Sequence, residues 1–160
     1  MRRVGILTIS DRGAEGVYED KSGPLAAGLV AERTGWMIAR RSIIPDEFET
    51  IADTLREWCA AGLDLILTSG GTGLAESDVT PEATAAVIDR EAPGIAEALR
   101  LASREHTKYW MMSRGIAGLR GDVLVINFPG NPRSIAEAGE PLLDTLEHAM
   151  ALLLDRESGH

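Results

Sequence analysis

The sequence predicts a three-layer α/β/α domain on a mostly parallel, mixed central sheet. Short apolar segments alternate with segments of helical period along the whole chain, the pattern of strands joined by crossover helices. Those apolar segments are continuous aliphatic runs, as in a sheet covered on both faces. Size agrees: 160 residues, 44% hydrophobic and 26% charged, suit one domain spanning residues 1–160 with a sizeable core. Aromatic residues are only 4%, so that core is expected to be aliphatic.

Taken in order, RVGILTIS (3–10) reads as the first strand, entering the polar loop DRGAEGVYEDKSGP. Ser22, Gly23 and Pro24 open a helix that runs through LAAGLVAER and stops near Thr34-Gly35. WMIARRSII (36–44) is the second strand. Asp46 and Glu49 have the spacing of a capping box, ahead of Phe48, Ile51, Ala52, Leu55, Trp58 and Cys59 at helical intervals. Residues 63–69 form a third strand, and helices are expected over 81–91 and 93–105. GIAGLRG, within 109–121, fits an edge strand or a hairpin. DVLVINF (122–128) is a buried strand. PGNP then leads into a long helix ending near residue 154, with Ile135, Ala138, Leu142, Leu146, Ala149 and Leu153 on one face.

Ligands of such sheets bind beyond the carboxyl ends of the strands. Four segments should meet there: SDRG (10–13), IPDE (44–47), SGGTG (69–73) and PGNP (129–132). In the third, Gly70, Gly71 and Gly73 allow close approach and positive φ angles, and their N–H groups can line an anion-binding concavity. The stretch lacks the Lys-Ser/Thr of a Walker A loop and the spacing of a dinucleotide fingerprint. A bare strand-exit turn is the alternative, weakened by Asp78, Thr80 and Pro81 following so closely. Asp46 and Asp78 each follow a strand at this end. Each could cap a helix; two carboxylates beside a phosphate-binding loop also suit Mg²⁺, a hard cation that takes oxygen ligands and phosphates. Metal and backbone N–H groups would then do the work of the missing lysine.

A formal net charge of −9 and a pI near 4.8 argue against general nucleic-acid binding, which needs basic surface. The single cysteine, Cys59, sits in an apolar helical pattern, so a buried thiol is expected and an intrachain disulfide is impossible. No signal-peptide pattern precedes the first strand and no apolar run approaches membrane-spanning length. The expectation is a cytoplasmic protein with no membrane partner. His106, His148 and His160 lack metal-ligand spacing, and no nucleophile motif is present.

TISDRG, DKSGP, IIPDE, LILTSGGTG with DVTPEAT, MSRGIAGLRG and NFPGNP, in that order, resemble the molybdopterin adenylyltransferase family (the MogA/MoaB type, similar to the corresponding domains of gephyrin and its plant counterpart). The similarity covers nearly the whole chain. It implies that the terminal phosphate of molybdopterin attacks the α-phosphate of Mg-ATP, giving adenylyl-molybdopterin and pyrophosphate. Asp46 and Asp78 match the family's functional aspartates and would position Mg²⁺ and the phosphates. Gly70, Gly71, Thr72 and Gly73 would cradle the adenylyl phosphate. Ser10 and Asp11 match the first loop; Asn127, Pro129, Gly130, Asn131 and Pro132 match the last. Ser103, Ser113 and Arg114 match pterin-binding positions. The segment EHTKYWMM (105–112) departs from the aliphatic, proline-containing stretch expected there. A homotrimer is implied. A non-catalytic molybdopterin carrier of the same fold is the alternative; retention of both aspartates favours the enzyme.

Overall fold

A computed structural model describes residues 1–154; His160 lies outside them. Four strands form the parallel part of the sheet: β1 (Arg3–Ile9), β2 (Met37–Ile44), β3 (Leu65–Ser69) and β6 (Val123–Phe128). An antiparallel edge is added by β4 (Arg90–Glu91) and β5 (Ala117–Arg120). The six-stranded order is β2-β1-β3-β6-β5-β4. The GIAGLRG segment is thus one arm of a β5–β6 hairpin.

Helices cover both faces, as the aliphatic strands require. On one face α2 (Ser22–Thr34), α5 (Pro93–Ser103) and α6 (Glu140–Leu154) bury Val30, Leu99 and Leu146 against Val4, Ile6, Leu65, Leu67, Leu124 and Ile126. On the other, α3 (Phe48–Ala60) and α4 (Thr80–Ala85) bury Ile51, Leu55, Trp58 and Ala83 against Leu7, Ile9, Ile66 and Val125. Alternate residues of β1 go to opposite cores because side chains alternate along a strand. Gly5 sits where Trp58 and Leu63 crowd the sheet: a Cβ there would come within 2.7 Å of both.

Several local expectations change. The first strand ends at Ile9, and Ser10 caps a short helix, α1 (Asp11–Ala14), by accepting the Gly13 N–H at 3.2 Å. β2 is an edge strand and only half-covered, which accommodates Arg40 and Arg41. The helix expected over 81–91 ends at Ala85, because Asp89 and Ala92 donate to Leu119 and Ala117 and draw the chain into the sheet edge. Gly118 permits that approach, since a Cβ would lie 2.6 Å from the Arg90 carbonyl oxygen. The last helix opens with a π-turn (Ile135–Gly139), where Gly139 faces the Phe128 ring. The capping box does not form: Glu47 precedes α3 without a side-chain cap, and its carboxylate accepts from Thr50 instead. Cys59 is half-buried, and burial pushes its thiol up to about 11.

Candidate functional site

The chain leaves β1 for β2 on one side of the sheet and reaches β3 on the other. This is the topological switch point at which open α/β sheets bind ligands. The ends of β1, β3 and β6 lie level there, with Thr8 paired to Ser69 and Ser69 to Phe128. The Gly70 N–H donates to the Phe128 carbonyl at 3.1 Å. A Cβ on Gly70 would fall 2.2 Å from the Ile9 carbonyl oxygen, and its φ of 106° is one that side chains disfavour. Glycine at position 70 therefore lets three strand ends meet.

Gly71 has a φ of 68°, and a Cβ on it would lie 2.2 Å from Thr80 Oγ1 and 3.0 Å from Asp46 Oδ1. A carboxylate and a hydroxyl thus converge on one bare backbone position. Thr80 Oγ1 is buried without a hydrogen-bond partner, the one such side-chain polar atom among the described residues. Unpartnered buried hydroxyls carry a desolvation cost of about 1–3 kcal/mol.

Asp46 does not cap α3, the helix that follows it. Its Oδ2 accepts the Asp11 N–H at 3.0 Å while Asp11 Oδ1 accepts the Asp46 N–H at 2.8 Å. This reciprocal pair ties the first loop to the second. Burial raises the Asp46 carboxyl from its ordinary 3.8; the Asp11 backbone bond opposes the rise, and the charges of Asp11 and Asp78 add to it. Asp78 caps no helix either. α4 follows Val79 without a side-chain cap, and Asp78 Oδ2 accepts the Ala75 N–H at 3.1 Å.

A cavity of about 390 Å³ opens over the glycine turn. Gly71, Thr72, Gly73 and Asp78 form one side; Pro129, Gly130 and Asn131 form another. Ser103 and Ser113 close it with Tyr109, Trp110 and Met112. Gly130 packs on the glycine turn, where its Cβ would lie 3.3 Å from Gly70 Cα. Pro129 is held through its carbonyl by Ser69 and by Ser134, at 3.2 and 2.6 Å. Ser103 donates back to Leu99 within its helix at 2.9 Å, and Ser113 accepts the Gly115 N–H at 3.3 Å.

Other expected residues stand elsewhere. Asn127 is buried and its amide donates to Thr68 and Thr84, both at 3.0 Å, while its oxygen accepts the Ile116 N–H. It braces the strand ends beneath the site. Ser10 bonds the Tyr18 hydroxyl at 2.8 Å. Pro132 borders a neighbouring groove with Tyr18 and Lys21. Arg114 lies outside the cavity and lines a groove with Pro81 and Glu82. Its pairing with Glu82 holds that carboxyl below its ordinary value, chiefly through the hydrogen bond. An apolar groove of about 430 Å³ between α5 and α6 lies away from these loops. The aromatic wall of the cavity escaped the sequence reading: 105–112 stood out only as an unusual segment, with no periodicity to orient Tyr109 or Trp110.

The donor set fits a hard divalent cation. Asp46 and Asp78 are carboxylates whose charges reach one another, and Thr80 supplies an unused hydroxyl beside Asp46. Among the described residues no group of three or more His, Cys, Asp or Glu could hold a metal alone. Phosphate oxygens would have to complete the coordination, as they do for Mg²⁺ bound with nucleotides.

Residues 5–148 match the family described as a probable molybdopterin binding domain, and the chain belongs to that family. The molybdopterin adenylyltransferase of Escherichia coli K12 is 42% identical over 144 residues, covering 89% of this chain and 74% of that protein. The crystal structure of the molybdopterin biosynthesis enzyme MoaB from Thermus thermophilus matches with a TM-score of 0.90 and 45% identity, covering 98% of each chain. The molybdenum cofactor synthesis protein cinnamon of Drosophila melanogaster is 38% identical over 152 residues; the match covers 94% of this chain but only 25% of cinnamon.

Proposed function

We propose that this chain is a molybdopterin adenylyltransferase that joins the adenylyl group of Mg-ATP to the terminal phosphate of molybdopterin. The observation that carries the reading is a bare glycine turn at the sheet's switch point that meets Asp46 at Gly71 and Asp78 at Gly73, with Asp78 on the wall of the cavity. A phosphate oxygen of molybdopterin bonds to the α-phosphorus, the bond to the bridging oxygen breaks, and pyrophosphate leaves with that electron pair. A phosphate monoester is mostly a dianion at pH 7, its second pKa being about 6. The nucleophile therefore needs no general base, which suits a cavity whose lining among the described residues includes no histidine, lysine or cysteine.

The chain's contribution is positioning and charge stabilisation. The Gly70–Gly73 turn offers backbone N–H groups to the adenylyl phosphate. Asp46 and Asp78, with Thr80 beside them, would hold Mg²⁺, which when bound offsets charge on the phosphates. Ser103 and Ser113 face the pterin, and Trp110 and Tyr109 offer planar faces on the same wall. Ser10, Asp11 and the Pro129–Pro132 loop frame the nucleotide side. Asn127 acts from below by holding the strand ends. A homotrimer and a cytoplasmic setting belong to the same reading.

The test is release of pyrophosphate from the purified chain given Mg-ATP alone, molybdopterin alone, or both. Release only with both is expected. Release from Mg-ATP alone would mark a hydrolase. Tight molybdopterin binding with no release would mark a carrier.

A further inference from the structure

Arg114 adjoins the candidate site from outside the cavity, and its polar contacts run to the loop that carries Asp78 and to Glu82 of the helix that follows. Its Nε donates to the Gly73 carbonyl at 2.8 Å. Its Nη2 donates to the Asp78 carbonyl at 2.6 Å. Its Nη1 pairs with the Glu82 carboxylate in the first turn of α4. Its own backbone N–H donates to the Thr72 carbonyl at 2.8 Å. One residue thus grips three points along residues 72–78 and is itself aimed by a carboxylate. A guanidinium suits this because its donors are fixed in a planar fork.

The loop needs such a grip. Leu74, Ala75 and Glu76 are exposed, so little apolar packing fixes its shape. Its internal bonds are few: Ala75 N–H to Asp78 Oδ2 at 3.1 Å, Asp78 N–H to the Ala75 carbonyl at 3.0 Å, and Thr80 N–H to the Gly71 carbonyl at 3.1 Å. From these contacts we infer that the Arg114–Glu82 pair is a clasp that sets the glycine loop and the Asp78 carboxylate, making Arg114 a positioning residue for adenylyl transfer and not a pterin contact. The catalytic side of the inference rests on the adenylyltransferase reading; the mechanical side does not.

Two variants test it. Arg114→Lys keeps the charge but cannot reach Gly73, Asp78 and Glu82 together. Glu82→Gln leaves the arginine in place without its ionic anchor, at an exposed position where the fold is not at stake. Hydrogen exchange on the intact protein is the first readout. In Arg114→Lys the amides of Ala75, Asp78 and Thr80 should exchange about 10-fold faster or more, β3 and β6 should be unchanged, and Glu82→Gln should follow by a smaller factor. Kinetics are the second readout. In Arg114→Lys kcat should fall about 10- to 100-fold, as misplacement of a reacting group predicts, while the molybdopterin Kd from calorimetry stays within about 2-fold. Unchanged loop exchange in both variants would overturn the clasp. A molybdopterin Kd weakened about 10-fold with kcat intact would overturn the positioning role and make Arg114 a ligand contact. Exchange and binding need no turnover, so an inactive wild-type protein would sink the adenylyltransferase reading and leave the clasp to be decided by those two measurements.

Discussion

Asp46 is held in a state that costs the fold something. Its carboxyl sits above its ordinary 3.8, chiefly because it is buried. Such a group adds stability below the unfolded value and loses that contribution as pH rises through the folded value. At pH 7 the ionised side chain is therefore a burden that a bound cation would relieve. Asp46→Asn removes the charge, and its amide oxygen can still accept the Asp11 N–H. Its melting temperature at pH 7 without metal should equal or exceed that of wild type. Millimolar Mg²⁺ should raise the melting temperature of wild type and not of the variant. An equal Mg²⁺ response in both would remove Asp46 from the metal site. Asp46 was legible in the sequence as a carboxylate just past a strand, and Asp78 as one that closes the glycine-rich loop after the next strand. Thr80 was not: its role depends on Gly71, nine positions earlier, leaving its hydroxyl without a partner. Gly71 itself is a poor probe of ligand binding, since any side chain there collides with Thr80 before a ligand arrives.

The helices and strands follow from apolar period, and α3 illustrates how far that reaches. Ile51, Ala52, Leu55 and Trp58 recur at helical spacing and are the residues it buries. Leu55 is fully buried against β1 and β3 with no polar function. Leu55→Ala should cost about 2–5 kcal/mol in urea unfolding while leaving the midpoint for Mg-ATP unchanged. A loss below ~1 kcal/mol would mean that this core collapses around the gap. The period says less where backbone pairing competes with it. Helix α4 stops at Ala85 because Asp89 and Ala92 find carbonyl partners on β5, a contact some thirty residues away in sequence that no local window holds. The sequence marked Arg114 only through its match to a pterin-binding position. That its guanidinium bonds the Gly73 and Asp78 carbonyls follows only from the fold. Neither aspartate caps the helix that follows it: Asp46 is engaged by Asp11 from a distant loop, and Asp78 by Ala75 within its own loop.

Across the whole molecule, the sheet order brings loops from four distant parts of the chain to one edge. β1 sits between β2 and β3, and β6 follows β3, so the segments after these four parallel strands share a rim. The acidic chain needs no positive surface for its substrates under this account: backbone N–H groups and a cation offset phosphate charge locally. Adenylyl transfer at this rim, with Asp78 at its centre, is tested by comparing two proteins. Wild type and Asp78→Asn, a variant that retains an oxygen for the Ala75 N–H, are incubated with Mg-ATP and molybdopterin and assayed for adenylyl-molybdopterin. Product is expected from wild type, with a rate about 100-fold lower or more from the variant and melting temperatures alike. Equal rates from both proteins, or no product from wild type that still binds both substrates, would contradict it.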